Sequence, residues 1–222
     1  MDEQVPAFPL GGVLLPGQLL DLQVFEPRYR VMLFDLREAR PAEFLVTLIE
    51  RGSEVGGGEI RSPVGCMAEV LAVNDAGSGL THLQVVGTQR AVVREWLEDD
   101  PYPRASIERS GPGGDAAGSD ATALAEAFAV ALRRGEAVLR AAERLGMGPA
   151  DPEPVDPTDP VTGTWQLALR TPLGTLDRYR LLEEPDPLRR LHRLAGMLEE
   201  AAELLEAAEL LEALARGEGD GE

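Results

Sequence analysis

The chain has 222 residues, 44% hydrophobic and 27% charged, enough apolar material for a sizeable core in one large domain or two small ones. Its 39 acids outnumber 21 bases, and the net charge of -18 works against nucleic acid or an anionic membrane as a partner. All the bases are arginine, which excludes chemistry that needs an amine: P-loop phosphate binding, Schiff-base catalysis and Ser-Lys hydrolysis.

Up to about residue 110 the pattern is β-rich. An apolar stretch opening with Phe8-Pro9-Leu10 stops at Pro16-Gly17, a pair suited to a type II turn, and resumes over 19–25. Phe25, Tyr29, Met32, Leu33 and Leu36 then share one helical face. Glu26 and Pro27 suit its first turn, and Pro41 closes the segment. Residues 44–49 are apolar on both faces at period two, which predicts a central strand. Gly56-Gly57-Gly58 makes a loose loop. Residues 64–73 and 81–86 flank the turn residues 74–79 as a hairpin, and 91–97 and 104–109 supply two further strands.

The second half changes character. Residues 110–118 are a Gly-rich linker, after which Ser119 or Asp120 can cap a helix to about Leu145. Leu124, Phe128, Leu132, Leu139 and Ala142 form its expected buried stripe, and Gly146 its stop. Residues 149–163 alternate proline with acid and read as an extended tether. Two short helices follow at 164–170 and 175–183, and Asp186-Pro187 opens a long final helix. Its seam is Leu188, Leu191, Ala195, Leu198, Ala202 and Leu205. Beyond it, Glu at every third position from 200 to 212 winds round the axis, so packing should stop near Leu205. The fold class is therefore α+β: a β lobe over 1–112, a helical lobe over 113–216 containing the 149–163 linker, and a disordered acidic tail over 217–222.

Catalytic groups are scarce. No serine lies in Gly-x-Ser-x-Gly, and Ser78 belongs to a turn. His82 and His192 are the two histidines; with the lone Cys66 they cannot build a structural zinc site. A Cys66–His82 nucleophilic pair can be drawn, but a small buried residue is the better reading of Cys66. Asp151, Asp156 and Asp159 are interleaved with proline and lack the turn glycine of a calcium loop. No metal and no cofactor is expected. One cysteine permits no intrachain disulfide and suits a reducing compartment, the start MDEQVPAF shows no leader, and no run approaches the ~18 apolar residues of a membrane span. The expectation is a cytoplasmic protein without a membrane partner.

Order and spacing then carry a resemblance. Phe8-Pro9-Leu10, Val13-Leu14-Leu15-Pro16-Gly17 and Phe25-Glu26-Pro27-Arg28-Tyr29-Arg30 resemble the opening of the Lon-protease N-terminal (substrate-binding) domain family. Pro63-Val64-Gly65, Val86-Gly87-Thr88-Gln89-Arg90, Pro101-Tyr102 with Ala105, and Leu181-Leu182-Glu183 followed by Arg190-Leu191 extend the likeness over roughly 5–200. Ala91 departs from it, standing where an aromatic is usual.

The resemblance implies a PUA-like β-barrel lobe joined to a helical bundle, in a stand-alone form lacking the ATPase and peptidase. It also implies a non-catalytic module that binds exposed or unfolded protein segments, as an adaptor to a protease or chaperone; the oligomeric state stays open. The alternative is a small-ligand protein or enzyme using the crevice between the lobes. Leu14 and Leu15 are the candidate substrate contacts, with core packing as their competing fate. Phe25, Glu26, Pro27, Arg28, Tyr29 and Arg90 are expected to hold the fold: Arg28 and Arg90 by pairing with acids, Glu26 and Tyr29 by fixing the start of the helix. RNA binding would need an arginine patch around Arg28, Arg30 and Arg37 that outweighs the acidic bulk.

Overall fold

A computed structural model describes residues 3–75, 77, 79–110, 120–148 and 154–219. Among these the order is β1 (Glu3–Leu10), β2 (Leu19–Val24), α1 (Pro27–Leu36), β3 (Glu43–Arg51), β4 (Ile60–Asp75), β5 (Thr81–Trp96), β6 (Arg104–Arg109), α2 (Ala121–Arg144), α3 (Pro160–Arg170), α4 (Thr175–Glu183) and α5 (Pro187–Gly219). The chain divides into two units, Met1–Gly114 and Asp115–Glu222. The expected linker lies almost wholly in 111–119, outside the described residues.

In the first unit the strands pair in the order β2-β5-β4-β3-β1-β6, and β5 also pairs with β6. The ladder β5-β4-β3-β1-β6 thus closes on itself, with β2 attached to the first half of β5. Only β1–β3 is parallel among these pairs. Alternation along each closed strand sends one set of side chains inward: Val5, Ala7, Leu45, Met67, Ala91, Ala105 and Ile107 form one buried cluster. Ala91, small where the resemblance has an aromatic, is fully enclosed there.

The opposite face of β3 carries Phe44 and Val46, also buried, as expected of a strand covered on both sides. Phe8 stands 5.8 Å from Phe44 and 4.2 Å from Tyr29, ring centre to ring centre. Tyr29, Met32 and Leu36 are the buried residues of α1. Phe25 departs from the expected face: the helix begins at Pro27, so Phe25 precedes it and is 54% exposed. The helix also stops at Leu36, short of Pro41. Tyr102 donates its hydroxyl hydrogen to Asp35 Oδ2 at 2.9 Å, tying α1 to the segment before β6.

The strands expected at 81–86 and 91–97 are one strand, β5, of 16 residues. Polar Thr88-Gln89-Arg90 looks like a break, but it continues the ladder on β4, where Arg90 faces Cys66. Two glycines make this crowding feasible. A Cβ at Gly65 would fall 2.3 Å from the Val46 carbonyl oxygen, and one at Gly87 would fall 2.2 Å from that of Leu15.

In the second unit Asp120 caps α2, its Oδ1 accepting from the Thr122 amide at 2.9 Å. The buried stripe is Leu124, Ala127, Phe128, Ala131, Gly135, Val138, Ala141 and Ala142, with Leu132 and Leu139 only half-buried. Small residues let α3 approach: a Cβ at Gly135 would meet Leu167 at 2.5 Å, and one at Gly163 would meet Phe128 at 2.2 Å. Helix α3 starts earlier than expected, at Pro160, because Asp159 accepts from the Val161 and Thr162 amides at 3.0 and 3.1 Å. An acid followed by proline is a cap here rather than a tether; residues 149–153 lie outside the described residues.

Helix α4 has its expected bounds. Helix α5 continues to Gly219, past the point where disorder was expected, while 220–222 lie outside the described residues. Leu191, Leu194, Ala195 and Leu198 are buried, whereas Leu210, Leu211 and Leu214 are about two-thirds exposed, as the winding of the acids requires.

Candidate functional site

Beta strand β2 alternates simply. Leu22 and Val24 are buried and Leu20 half-buried, while Leu19, Asp21 and Gln23 face out. Its start is set by Gly17, whose φ of 83° suits the second central position of the Pro16-Gly17 turn. The Gly17 amide donates to the Gly87 carbonyl and the Gly87 amide to the Gln18 carbonyl, both at 2.8 Å, so two residues of this chain face one of β5 as a bulge.

Beside β2 runs a groove of about 270 Å³. One wall is Asp21–Val24; the other is Phe8, Pro9 and Leu10 of β1. Tyr29 and Glu26 also line it, together with Glu54 and the exposed Phe25 and Val55. Phe25 and Val55 are both 54% exposed, a pair of large apolar side chains at the mouth of a pocket rather than scattered singly. The loop bearing Val55 is stitched in place. The Gly11 amide donates to Glu54 Oε1, and the Gly56 amide to Glu26 Oε2 at 3.4 Å. Gly56, Gly57 and Gly58 all have φ between 79° and 101°, so the loose loop of the sequence is a specific path that only glycine follows without strain.

Around Tyr29 lies a network of charge. Arg28 pairs with Glu26 at 3.1 Å and stands 4.6 Å over the Tyr29 ring. The Tyr29 hydroxyl is buried without a hydrogen bond, and that burial pushes its ionisation well above the ordinary range although Arg28 pulls the other way. Arg61 pairs with Glu59 at 2.8 Å and with Asp99, and lies 5.1 Å from the Trp96 ring centre.

The signature residues from the sequence thus separate by role. Glu26, Arg28 and Tyr29 come together, Pro27 is the first helical residue, and Arg90 is half-buried on β5. Phe25, expected to hold the fold, instead rims the opening. Leu14 and Leu15 are 2% and 0% exposed, so core packing is their fate and neither reaches a ligand in this conformation. Cys66 faces Arg90 while His82 faces Asn74, which places the two well apart along the hairpin. Burial pushes the Cys66 thiol above its ordinary range, the behaviour of an inert core cysteine. Arg28 is engaged by Glu26, whereas Arg37 is exposed and lies 3.5 Å over the Phe34 ring.

Sequence reasoning missed the loop at 52–58 as a wall of the site. The available signal was Val55, a lone large apolar residue among glycine and acid. In the helical unit a wider depression of about 450 Å³ between α2 and α5 holds His192, but much of its wall is alanine and no strongly exposed apolar residue rims it. Among the described residues no group of three or more His, Cys, Asp or Glu could hold a metal ion, and no helix is long and apolar enough to cross a membrane.

Comparison with known proteins gives a consistent answer. A Lon protease of Desulfosudis oleivorans is 27% identical over 110 residues, which are 48% of this chain and only 13% of that protein. A crystal structure of a Lon N-terminal domain protein from Xanthomonas campestris superposes with a TM-score of 0.62 at 24% identity, covering 87% of this chain and 98% of that one. The N-terminal domain of a Mycobacterium avium complex Lon protease gives the same TM-score at 17% identity, over 89% and 98%. At these identities the two structures speak for the fold alone. The family model described as the ATP-dependent protease La (LON) substrate-binding domain matches residues 4–200, most of each unit, and to that family this chain belongs.

Proposed function

We propose that the chain is a non-catalytic module that recognises exposed or unfolded protein segments through the groove beside β2, and that it delivers them to a protease or chaperone. The observation that carries this reading is the pair Phe25 and Val55, both half-exposed at the mouth of an apolar pocket, in a member of a substrate-binding family. Apolar side chains of an unfolded segment gain by leaving water, at roughly 25 cal/mol per Å² buried, and folded proteins keep theirs hidden. The closed ladder β5-β4-β3-β1-β6 supports reading the first unit as a PUA-like barrel that holds this groove rigid. A buried free cysteine accords with a reducing, cytoplasmic setting.

Binding of unfolded, carboxymethylated lactalbumin, compared with the native form, tests the reading. The wild type should retain the unfolded form selectively, and Phe25→Asp and Val55→Asp should each release it while leaving the fold intact. Equal retention of both forms, or indifference to both substitutions, would sink the proposal. The purified chain should neither hydrolyse ATP nor cleave the unfolded reporter.

A further inference from the structure

The groove lies against an open sheet edge, and the phase of that edge can be worked out. Among the described residues strand β2 ends the strand order and pairs only with β5. Because the Gly87 amide donates to Gln18, Gln18 belongs to a hydrogen-bonded pair, and such pairs alternate along an antiparallel ladder. Leu20, Leu22 and Val24 therefore turn their amides and carbonyls toward β5. Leu19, Asp21 and Gln23 turn theirs to the open side, leaving three donors and three acceptors in a row at strand spacing.

The wall across the groove is not equivalent. Among the described residues β1 pairs with β6 only through Glu3–Pro6, so from Phe8 onward it has no strand partner on that side. The Ala7 amide is spent on the Pro103 carbonyl at 2.8 Å, and the next residue facing that way is Pro9, which has no N–H. Proline blunts that edge as it does in other sheets. One wall of the groove thus offers a ladder and the other does not.

Charge identifies the occupant. The groove is lined by no arginine and by three carboxylates, of which Glu26 is already paired with Arg28 while Asp21 and Glu54 have no cation beside them among the described residues. Its apolar lining includes Phe8, Leu10, Leu22 and Val24, with Phe25 and Val55 the strongly exposed members. A segment seated there is complementary when its apolar side chains are accompanied by a base.

We propose that β2 takes up an extended segment of another polypeptide as an added β-strand, with alternate side chains placing an apolar residue against Phe8, Phe25 and Val55 and an arginine or lysine beside Asp21 and Glu54. This rests on the groove being the recognition site and specifies how it recognises: by main-chain ladder for affinity and by charge for choice.

A fluorescein-labelled octapeptide, SRVTFTRS, is the probe. It should bind in anisotropy titrations, and its counterpart SEVTFTES should bind about tenfold more weakly or worse. Two N-methylated versions, blocked on the odd or on the even amides, should differ: one keeps the ladder and binds, the other loses it. Failure of the parent to bind, equal behaviour of the two methylated peptides, or no preference for the basic peptide overturns the proposal.

Gln23→Pro removes one amide from the open edge without touching the β5 ladder, and should weaken the parent peptide about tenfold more than Gln23→Ala, which loses the same side chain but keeps the amide. Should Gln23→Pro not fold, the methylated pair on wild-type protein decides alone. Unfolded lactalbumin separates the two readings. If it is released by Phe25→Asp but ignores Gln23→Pro, the groove stands and strand addition falls; if it never binds, both fall.

Discussion

Arg61 in the β unit and Arg190 in the helical unit are both withdrawn from solvent, with 10% of the Arg61 side chain and 1% of the Arg190 residue exposed. Arg61 is met by charge: Glu59 at 2.8 Å and Asp99, in the segment between β5 and β6, at 3.0 Å. Arg190 is met by carbonyls. Its Nε donates to Leu181 and Glu184 at 3.2 and 3.0 Å, its Nη2 to Pro185 at 3.3 Å, and its guanidinium lies 4.4 Å over the Trp165 ring. Leu181 and Glu184 mark the C-terminal end of α4, where the free carbonyls and the helix dipole both favour a cation. The β unit therefore buries an ion pair, and the helical unit uses a cation as a helix cap and as the bolt joining α4 to α5. The first arrangement adds specificity at small net gain, whereas the second leaves several carbonyls without a donor if it is removed.

The two tryptophans allow the units to be followed separately: Trp96 lies in the first and Trp165 in the second. The largest effect expected is at Arg190. Arg190→Met should cost the helical unit about 4 kcal/mol in urea unfolding read by Trp165 in a Trp96→Phe background. Arg190→Lys should recover little of that, since an ammonium cannot reproduce the fork. A loss below about 1 kcal/mol would mean the α4 carbonyls find other donors and the contrast fails.

In the β unit Tyr29→Ala should cost about 3 kcal/mol, read by Trp96, because a buried ring packed on Phe8 is removed. Tyr29→Phe should shift stability by less than about 0.5 kcal/mol, since the hydroxyl has no partner to lose. A large Tyr29→Phe effect would show the hydroxyl to be engaged.

Alkaline titration gives a smaller effect. Burial raises the Tyr29 phenol and the Cys66 thiol above their unfolded values, so the folded β unit keeps protons that the unfolded chain releases. The stability this represents is whole below the unfolded values and is lost as pH rises. It should begin to fall above about pH 9, by up to about 1.4 kcal/mol per pH unit for each group. Cys66 should correspondingly resist a thiol reagent until the unit unfolds. Stability that is flat to pH 11 would place both groups in water.

Smallest of all is the end of α5. Deleting 210–222 should move the midpoint of the helical unit by less than about 2 °C, since Leu210, Leu211 and Leu214 are exposed and Glu209, which pairs with Arg144 at 2.9 Å, is retained. A large drop would mean those leucines are covered in solution, and sizing the truncated protein would show whether by a second copy.

Where the residue pattern follows local rules, sequence and structure agree. Turn chemistry placed Pro16-Gly17, capping narrowed the start of α2 to Ser119 or Asp120 and placed Asp186-Pro187, and the winding of the acids placed the end of packing near Leu205. The misses have physical causes. Periodicity put Phe25 on the helix, but proline fixes the first turn two residues later and leaves the ring outside. Local polarity split β5, because the partner that completes its ladder lies far away in sequence on β4. The groove was illegible for the same reason: Phe8, Asp21, Phe25 and Val55 meet only after the sheet has formed. Arg190 could be quoted as part of a motif, but its burial against α4 could not be read, since nothing in an arginine's neighbours says whether its partners are acids or carbonyls.

The two close approaches at Gly65 and Gly87 bear on how this protein would look in a mutational survey. Any side chain there drives into a backbone carbonyl of β3 or of the turn before β2, so every substitution should lower the amount of folded protein. In a screen scored only by captured substrate, both glycines would rank with Phe25 and Val55, and would trace a false binding surface along the β4–β5 hairpin. Measuring cellular abundance in parallel separates them: the glycine variants lose signal because less protein survives, the groove variants because surviving protein no longer holds its ligand.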